Sequence, residues 1–310
     1  MPPPTLTSPE REFELSSTGY TRLRLFDVHE AVAIRNDLIG LTLDRTAVNH
    51  SNLYLSFLDG DPRVKGALEQ AVTERLAAAL APHLAAGRIQ NGGAIVKNAG
   101  ADALAIHHHM PVTDSAFQRE IVCWCPLTDV DENSGALQVV PRSHHLLPFI
   151  RVPRGRDYFE GFADRLADYA VPLPARAGEA ILLDNTLLHG SAPNNGAEPR
   201  YAISVQIVPD DACNGLYLDP GDGFLDFVEV PPADAFRRYL ETGTRPREWR
   251  TAKRIRNANQ PIGEAEFRRL LDADPKVRGL ADPRPDAPAA REGLYRKLLR
   301  GVRGQRLSDP

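Results

Sequence analysis

GAIVKNAGADALAIHHH (Gly93 to His109) and IVCWCPLTDVDENSGALQVV (Ile121 to Val140) are the stretches that decide the fold. The first holds two short apolar runs, Gly93 to Lys97 and Ala103 to Ile106. The second holds Ile121 to Pro126 and Ala136 to Val140, and in both stretches Gly, Asn, Asp or Ser separates the runs. Runs this short, bounded by turn formers, read as strands. Glu179 to Asp184 and Tyr201 to Val208 continue the pattern. Many short strands without helices alternating between them favour an antiparallel barrel or sandwich over a parallel sheet. Within this region Arg151 to Ala170 reads as a long charged and aromatic insertion, helical in part, of the kind that covers a pocket mouth.

Working outward, Asp27 to Leu43 and Pro62 to Leu84 carry apolar residues at three- and four-residue spacing and read as helices that buttress a sheet. Asp59, Gly60 and Asp61 supply a turn and an N-cap for the second, with Pro62 at an early helical position. After Pro209 the pattern turns irregular and then helical, with Ala233 to Leu240, Gly263 to Leu271 and Arg291 to Val302 as candidate helices and Gly279 to Pro288 as a linker. The expectation is one domain over 1–310, with a core at about 90–210, a helical part at 20–89 and a helical extension at 211–310.

The 310 residues balance 37 basic against 41 acidic side chains for a formal charge of -4, which gives no footprint for nucleic acid. No apolar stretch approaches the roughly 20 residues of a membrane span, and the Pro-rich start at Met1 to Glu10 is not a secretory signal. Three cysteines, Cys123, Cys125 and Cys213, form no disulfide framework, and the first two share a strand face. A water-soluble, cytoplasmic chain is expected.

His107, His108 and His109 close one of these strands. Alternation places His107 and His109 on one face and His108 on the other, so two imidazoles can reach one ion. A polar strand end with exposed histidines is the plainer reading of the same residues. A further histidine, His189, lies in LLHGS (Leu187 to Ser191), and Arg200 opens the next strand eleven residues on. A distant histidine that closes a metal site, with an arginine beyond it to grip a carboxylate, is what an iron enzyme with an oxoacid cosubstrate needs. Taken alone, Arg200 is better read as a surface charge.

Together these stretches resemble the phytanoyl-CoA dioxygenase family of iron(II) and 2-oxoglutarate oxygenases, over about Asn49 to Pro209. The carriers are Trp124 to Asp129, Asn133 to Leu137 and Val139 to His144, where the family usually ends in Pro-Gly-Ser-His. Ala177 to Ala180 before the strand leading to His189, and Pro193 and Asn194 after it, match as well. The resemblance implies a mainly β fold with flanking helices, a double-stranded β-helix (jelly roll, cupin-like) with the metal at its open end. It implies His107 and His189 as iron ligands, Arg200 and Ser191 on the far carboxylate of 2-oxoglutarate, and Lys97 as a further support for the oxoacid. An ordinary snorkelling lysine is the alternative at position 97.

The family's His-X-Asp is here His107-His108-His109. Three readings follow: His109 binds iron, Asp114 from the next loop supplies the carboxylate or a supporting contact, or the site is degenerate. A neutral donor at 109 would leave the metal one unit more positive. Halogenases vacate this place with a small residue, which histidine does not do. Arg142 stands where the family has Gly, which suggests either a relaxed backbone or an arginine aimed at an anionic substrate. Trp124 is a candidate pocket wall, although an aromatic on a core strand more often serves packing. His144 and His145 read as packing residues, and Arg151, Arg154 and Arg156 as a solvated loop or a pocket rim.

The expected activity is oxidation of a small molecule with Fe(II), 2-oxoglutarate and O2, releasing succinate and carbon dioxide, with hydroxylation as the default. The alternatives are a three-histidine iron oxygenase that needs no 2-oxoglutarate and a catalytically silent binding protein on the same scaffold. Substrate identity and oligomeric state are not legible in these residues.

Overall fold

The computed structural model describes residues 5–42, 53–114, 118–146, 150–155, 158–159, 161–229, 239 and 242–272. Of the sequence-based expectations, Ala233 to Leu240 apart from Tyr239, Gly279 to Pro288, Arg291 to Val302 and Arg156 fall outside these residues.

The amino-terminal part forms α1 (Pro9–Thr18), β1 (Tyr20–Arg24), α2 (Val28–Thr42), β2 (Leu53–Leu55) and α3 (Pro62–Leu80). As read from the sequence, Asp61 caps α3 by accepting from the Arg63 backbone N–H, with Pro62 in the first turn. Leu68, Val72, Leu76 and Leu80 recur every fourth residue and form its buried face.

The strands that follow are β3 (Arg88–Lys97), β4 (Leu104–His107), β5 (Ile121–Pro126), β6 (Leu137–Val139), β7 (Val171–Leu173), β8 (Glu179–Asp184), β9 (His189–Ser191) and β10 (Arg200–Val208). They make two antiparallel sheets, a major one ordered β1-β8-β5-β10-β3-β2 and a minor one ordered β4-β9-β6-β7. This is a double-stranded β-helix, with α2 and α3 packed outside the major sheet.

Alternation along β5 shows how the layers are divided. Ile121, Cys123 and Cys125 face outward into a core with Leu68, Val72, Leu76 and Leu80 of α3. Val122 and Trp124 face inward, against Leu137 and Val139 of the minor sheet. Every residue of β5 is therefore buried, and the strand reads as one continuous apolar run. Cys123 and Cys125 share the outer face as expected, and both are free thiols.

Beyond Pro209 the chain departs from the helical reading. It first builds a third antiparallel sheet, β11 (Gly215–Leu218), β12 (Phe224–Glu229) and β13 (Thr251–Arg256). Tyr217, Leu225, Phe227 and Ile255 from this sheet bury against Ile150 and Val152. The helix α4 (Glu264–Asp272) follows β13, close to its expected place. Its Phe267 packs with Tyr158, Phe159, Phe162 and Leu166 from the aromatic insertion. Among its described residues the insertion carries one 3₁₀ segment, Ala163–Tyr169.

Candidate metal centre

In the minor sheet His107 of β4 and His189 of β9 are direct cross-strand partners, which brings residues far apart in sequence side by side. Gly190 allows the approach, because a Cβ there would stand 2.4 Å from the Leu104 carbonyl oxygen. His109 lies just past the end of β4 and completes the group. One ring nitrogen from each of His107, His109 and His189 lies within 4.8 Å of the others, and the three form the one such cluster among the described residues.

The tautomers follow from the hydrogen bonds. His107 Nδ1 donates to the Ala105 carbonyl at 2.8 Å, and His189 Nδ1 donates to the Leu187 carbonyl at 2.8 Å. His109 Nδ1 donates to Asn185 Oδ1 at 3.2 Å. With each Nδ1 serving as a donor, each Nε2 keeps its lone pair. The Nε2 atoms of His109 and His189 then face each other at 3.2 Å. Two lone pairs at that distance repel unless a cation lies between them. Adjacent donors on one octahedral ion with bonds of about 2.1 Å stand roughly 3 Å apart, close to the observed spacing. The residues therefore fit a divalent metal held by three imidazoles.

Burial, reinforced by neighbouring cationic groups, pushes the imidazolium forms of His107 and His109 well below the ordinary histidine range. His189 is brought down to about 4, again chiefly by burial. All three are neutral near pH 7, the form that binds a metal. His108 points the other way, as alternation requires, and its ring lies 6.0 Å from that of Tyr158 and 6.4 Å from that of Phe159. Arg151 donates to the His108 carbonyl, so the insertion lies against the histidine strand.

Asp114 is placed elsewhere. Its Oδ1 accepts from the Cys213 backbone N–H at 2.9 Å and its Oδ2 is 3.9 Å from Lys253 Nζ, which ties its loop to the third sheet.

A second polar site lies beside the first. Ser191, on the same face of β9 as His189, accepts from Lys97 Nζ at 2.9 Å. Lys97 and Arg200 are register partners on β3 and β10, and both side chains are buried. Arg200 donates to the Gly135 carbonyl at 2.7 Å and lies 5.3 Å from the centre of the Trp124 ring. Gly135 has φ +80, which favours glycine, and a Cβ there would crowd Lys97 Cδ at 3.0 Å. Neither cation has a carboxylate within ion-pair distance among the described residues, and Arg200 Nε has no hydrogen-bond partner. Burial and the nearby guanidinium lower Lys97 to about 8, and burial lowers Arg200 to about 10. Asp102 offsets part of the effect on Lys97 without forming an ion pair with it, and two buried cations with no carboxylate in contact make a site for an anion.

The other candidates take structural places. Arg142 keeps a left-handed backbone, φ 70, where a relaxed one was an expectation; its N–H donates to the Thr18 carbonyl and it opens a 3₁₀ turn. The conformation explains why glycine suits this position. His144 and His145 stack with ring centres 3.8 Å apart, and His144 Nε2 donates to the Ser16 carbonyl at 3.1 Å. Sequence reasoning assigns no role to Asn194, whose buried amide donates to the carbonyls of Lys97, Asn98 and Glu198 and fixes the turn between β9 and β10. It also misses Asn185 and Glu120, which stand behind His109.

A family model described as phytanoyl-CoA dioxygenase (PhyH) matches residues 27–202, more than half of the chain. The chain belongs to the PhyH family. Members of this family are non-haem oxygenases that use Fe(II), 2-oxoglutarate and O2. Phytanoyl-CoA dioxygenase domain-containing protein 1 of Danio rerio is 28% identical over 95 residues, which are 28% of this chain and 33% of that protein. The chain thus spans about a third of the length of this curated relative.

Among solved structures, the non-haem α-ketoglutarate-dependent epimerase SnoN from nogalamycin biosynthesis aligns with a TM-score of 0.50 and 17% identity, over 80% of this PhyH chain and 90% of its own. The α-ketoglutarate-dependent carbocyclase SnoK, from the same biosynthesis, gives 0.49 and 21% over 68% and 89%. HygX from Streptomyces hygroscopicus, solved with nickel, 2-oxoglutarate and hygromycin B, gives 0.49 and 17% over 66% and 88%. At these identities the likeness to SnoN is one of fold.

Proposed function

We propose that this PhyH chain is an Fe(II)- and 2-oxoglutarate-dependent oxygenase that oxidises, and by default hydroxylates, a small organic molecule. His107, His109 and His189 hold the metal, while Arg200 and Lys97, with Ser191, seat the oxoacid. The observation that carries the reading is the convergence of three metal-ready imidazoles next to two buried cations that no carboxylate contacts. A dicarboxylate whose oxoacid end meets the metal and whose far end meets the cations satisfies both sites at once.

Iron, when bound, supplies the activation of O2 coupled to oxidative decarboxylation of the oxoacid to succinate and carbon dioxide. The chain's own residues position and enclose. The backbone carbonyls of Ala105 and Leu187 fix two imidazoles, and the Trp124 ring supports the Arg200 guanidinium. The aromatic insertion at Tyr158 and Phe159 closes the side of the histidine strand and limits water there. With Asp114 engaged at Cys213 and Lys253, His109 rather than a carboxylate completes the set in this reading. Trp124 and Arg142 keep the supporting roles just described rather than contacting substrate. Free thiols at Cys123, Cys125 and Cys213 fit a reducing compartment such as the cytoplasm. Among the described residues no helix is long and apolar enough to cross a membrane.

Metal analysis of protein purified without oxygen, combined with 2-oxoglutarate titration, tests the proposal. One metal per chain and metal-dependent 2-oxoglutarate binding, lost in His189→Ala, are expected. Metal binding with turnover indifferent to 2-oxoglutarate would leave a three-histidine oxygenase of another kind. Absence of any metal-dependent binding would leave a silent scaffold.

A further inference from the structure

His109 differs from its two partners in how its ring is held. His107 and His189 each donate Nδ1–H to a backbone carbonyl two residues back, an acceptor in the same stretch of main chain. His109 lies beyond β4 (Leu104–His107), and its acceptor is a side chain, Asn185 Oδ1.

The orientation of that amide is determined by its other contacts. Asn185 Nδ2 donates to the Met110 carbonyl at 3.1 Å and to Glu120 Oε2 at 3.0 Å. Both partners are acceptors, so the NH2 group must face them and the oxygen must face His109. Glu120 is fixed in turn, with Thr113 Oγ1 donating to Oε1 at 2.7 Å and the Val112 N–H donating to Oε2 at 3.2 Å. Two backbone bonds close the frame, from His109 N to the Asn185 carbonyl at 3.0 Å and from Asn185 N to the Glu120 carbonyl at 2.9 Å. Glu120 directly precedes β5 and Asn185 directly follows β8, and these strands pair at Ile121 and Asp184. The end of the major sheet thus reaches across to orient a residue just past the end of a minor-sheet strand.

We infer that Asn185, oriented by the buried Glu120, is the positioning residue that makes His109 a metal ligand, holding its Nδ1–H tautomer so that Nε2 completes a neutral three-nitrogen face. This rests on the reading of His109 as a ligand. Chemical complementarity supports it, because Asn185 Oδ1 needs a donor opposite. Imidazole N–H is one, and an aspartate at position 109 would offer none. The arm therefore matches the histidine that departs from the family's usual residue.

The test is a double-mutant cycle read as Co(II) affinity. Asn185→Ala should lower affinity about 10–100-fold in the natural chain, the usual range for groups that orient metal ligands. In the His109→Asp background the same substitution should change it less than about threefold, since the bond it removes is absent there. An equal fall in both backgrounds means that Asn185 acts only on the fold and overturns the inference, as does no fall in either.

Proton NMR of the Co(II) protein gives a second readout should His109→Asp fail to fold. The imidazole N–H signal of His109 should disappear by solvent exchange in Asn185→Ala, while those of His107 and His189 stay. Persistence of all three overturns the inference. His109→Ala separates this inference from the reading beneath it. If that variant binds Co(II) like the natural chain, the three-histidine site is wrong. If it loses Co(II) while Asn185→Ala does not, only the role of Asn185 is wrong.

Discussion

The histidine cluster of the minor sheet and the pocket of Lys97 and Arg200 on the major sheet are linked by the Lys97–Ser191 bond and solve opposite electrostatic problems. In the cluster, three side chains that are cations at low pH are kept neutral by burial, with their lone pairs turned inward. In the pocket, two groups that are cations at pH 7 are buried without a carboxylate partner. One site lacks a positive charge and the other a negative one. A metal and a dicarboxylate supply these, and neither site alone implies both. The three neutral donors also leave the full charge of a divalent metal to the oxoacid, where an aspartate would have offset one unit.

The largest expected effect falls on the neutral side of this comparison. His107→Ala or His189→Ala should abolish metal binding, read by metal analysis, and should leave the Lys97 and Arg200 pocket folded. Next comes the cationic side, where Arg200→Ala should cost about 2–5 kcal/mol of 2-oxoglutarate affinity, roughly 30- to 4000-fold, with metal content unchanged. A fall in metal content in that variant would break the division between the two sites.

A smaller, pH-dependent effect belongs to Lys97. Its pKa is depressed to about 8 in the free protein, below the ordinary 10.5, chiefly by burial. The cost of burying its charge is fully present below pH 8 and fades as pH rises towards 10.5, so stability of the free protein should rise across that window. Affinity for 2-oxoglutarate should fall over the same window, because the neutral amine no longer attracts the carboxylate. Lys97→Met should flatten both profiles, measured by thermal melts and by titration.

The smallest effect lies outside both sites. Arg142→Gly should be about 0.5–1 kcal/mol more stable than Arg142→Ala, a degree or two in melting temperature, because only glycine escapes the cost of a side chain at a left-handed backbone position.

How much of this is legible in the sequence depends on how locally each feature is encoded. β5 and β8 can be read with the bounds the structure shows, because strands buried on both faces announce themselves as unbroken apolar runs. β9 cannot, since three residues, His189–Ser191, carry no periodicity and the strand exists only through pairing with β4 and β6. β13 hides for another reason, as Ile255 is the one buried residue in a strand otherwise exposed and largely basic. His107, His109 and His189 are visible through residue type and spacing. The arm behind His109 is not, because Glu120 and Asn185 lie 65 residues apart and meet only through the β5–β8 pairing. A faint signal is present in Asp184 and Asn185, two polar residues that end an apolar strand four residues before a histidine.

The central claim is that imidazoles alone supply the protein's share of the metal shell. An oxygen-free crystal structure with Mn(II) and 2-oxoglutarate tests it most directly. Nε2 of His107, His109 and His189 on a single ion, with the far carboxylate of the oxoacid against Arg200, is the predicted result. A protein carboxylate in the shell, from Asp114 or elsewhere, or an ion that leaves His109 unbound, would contradict it.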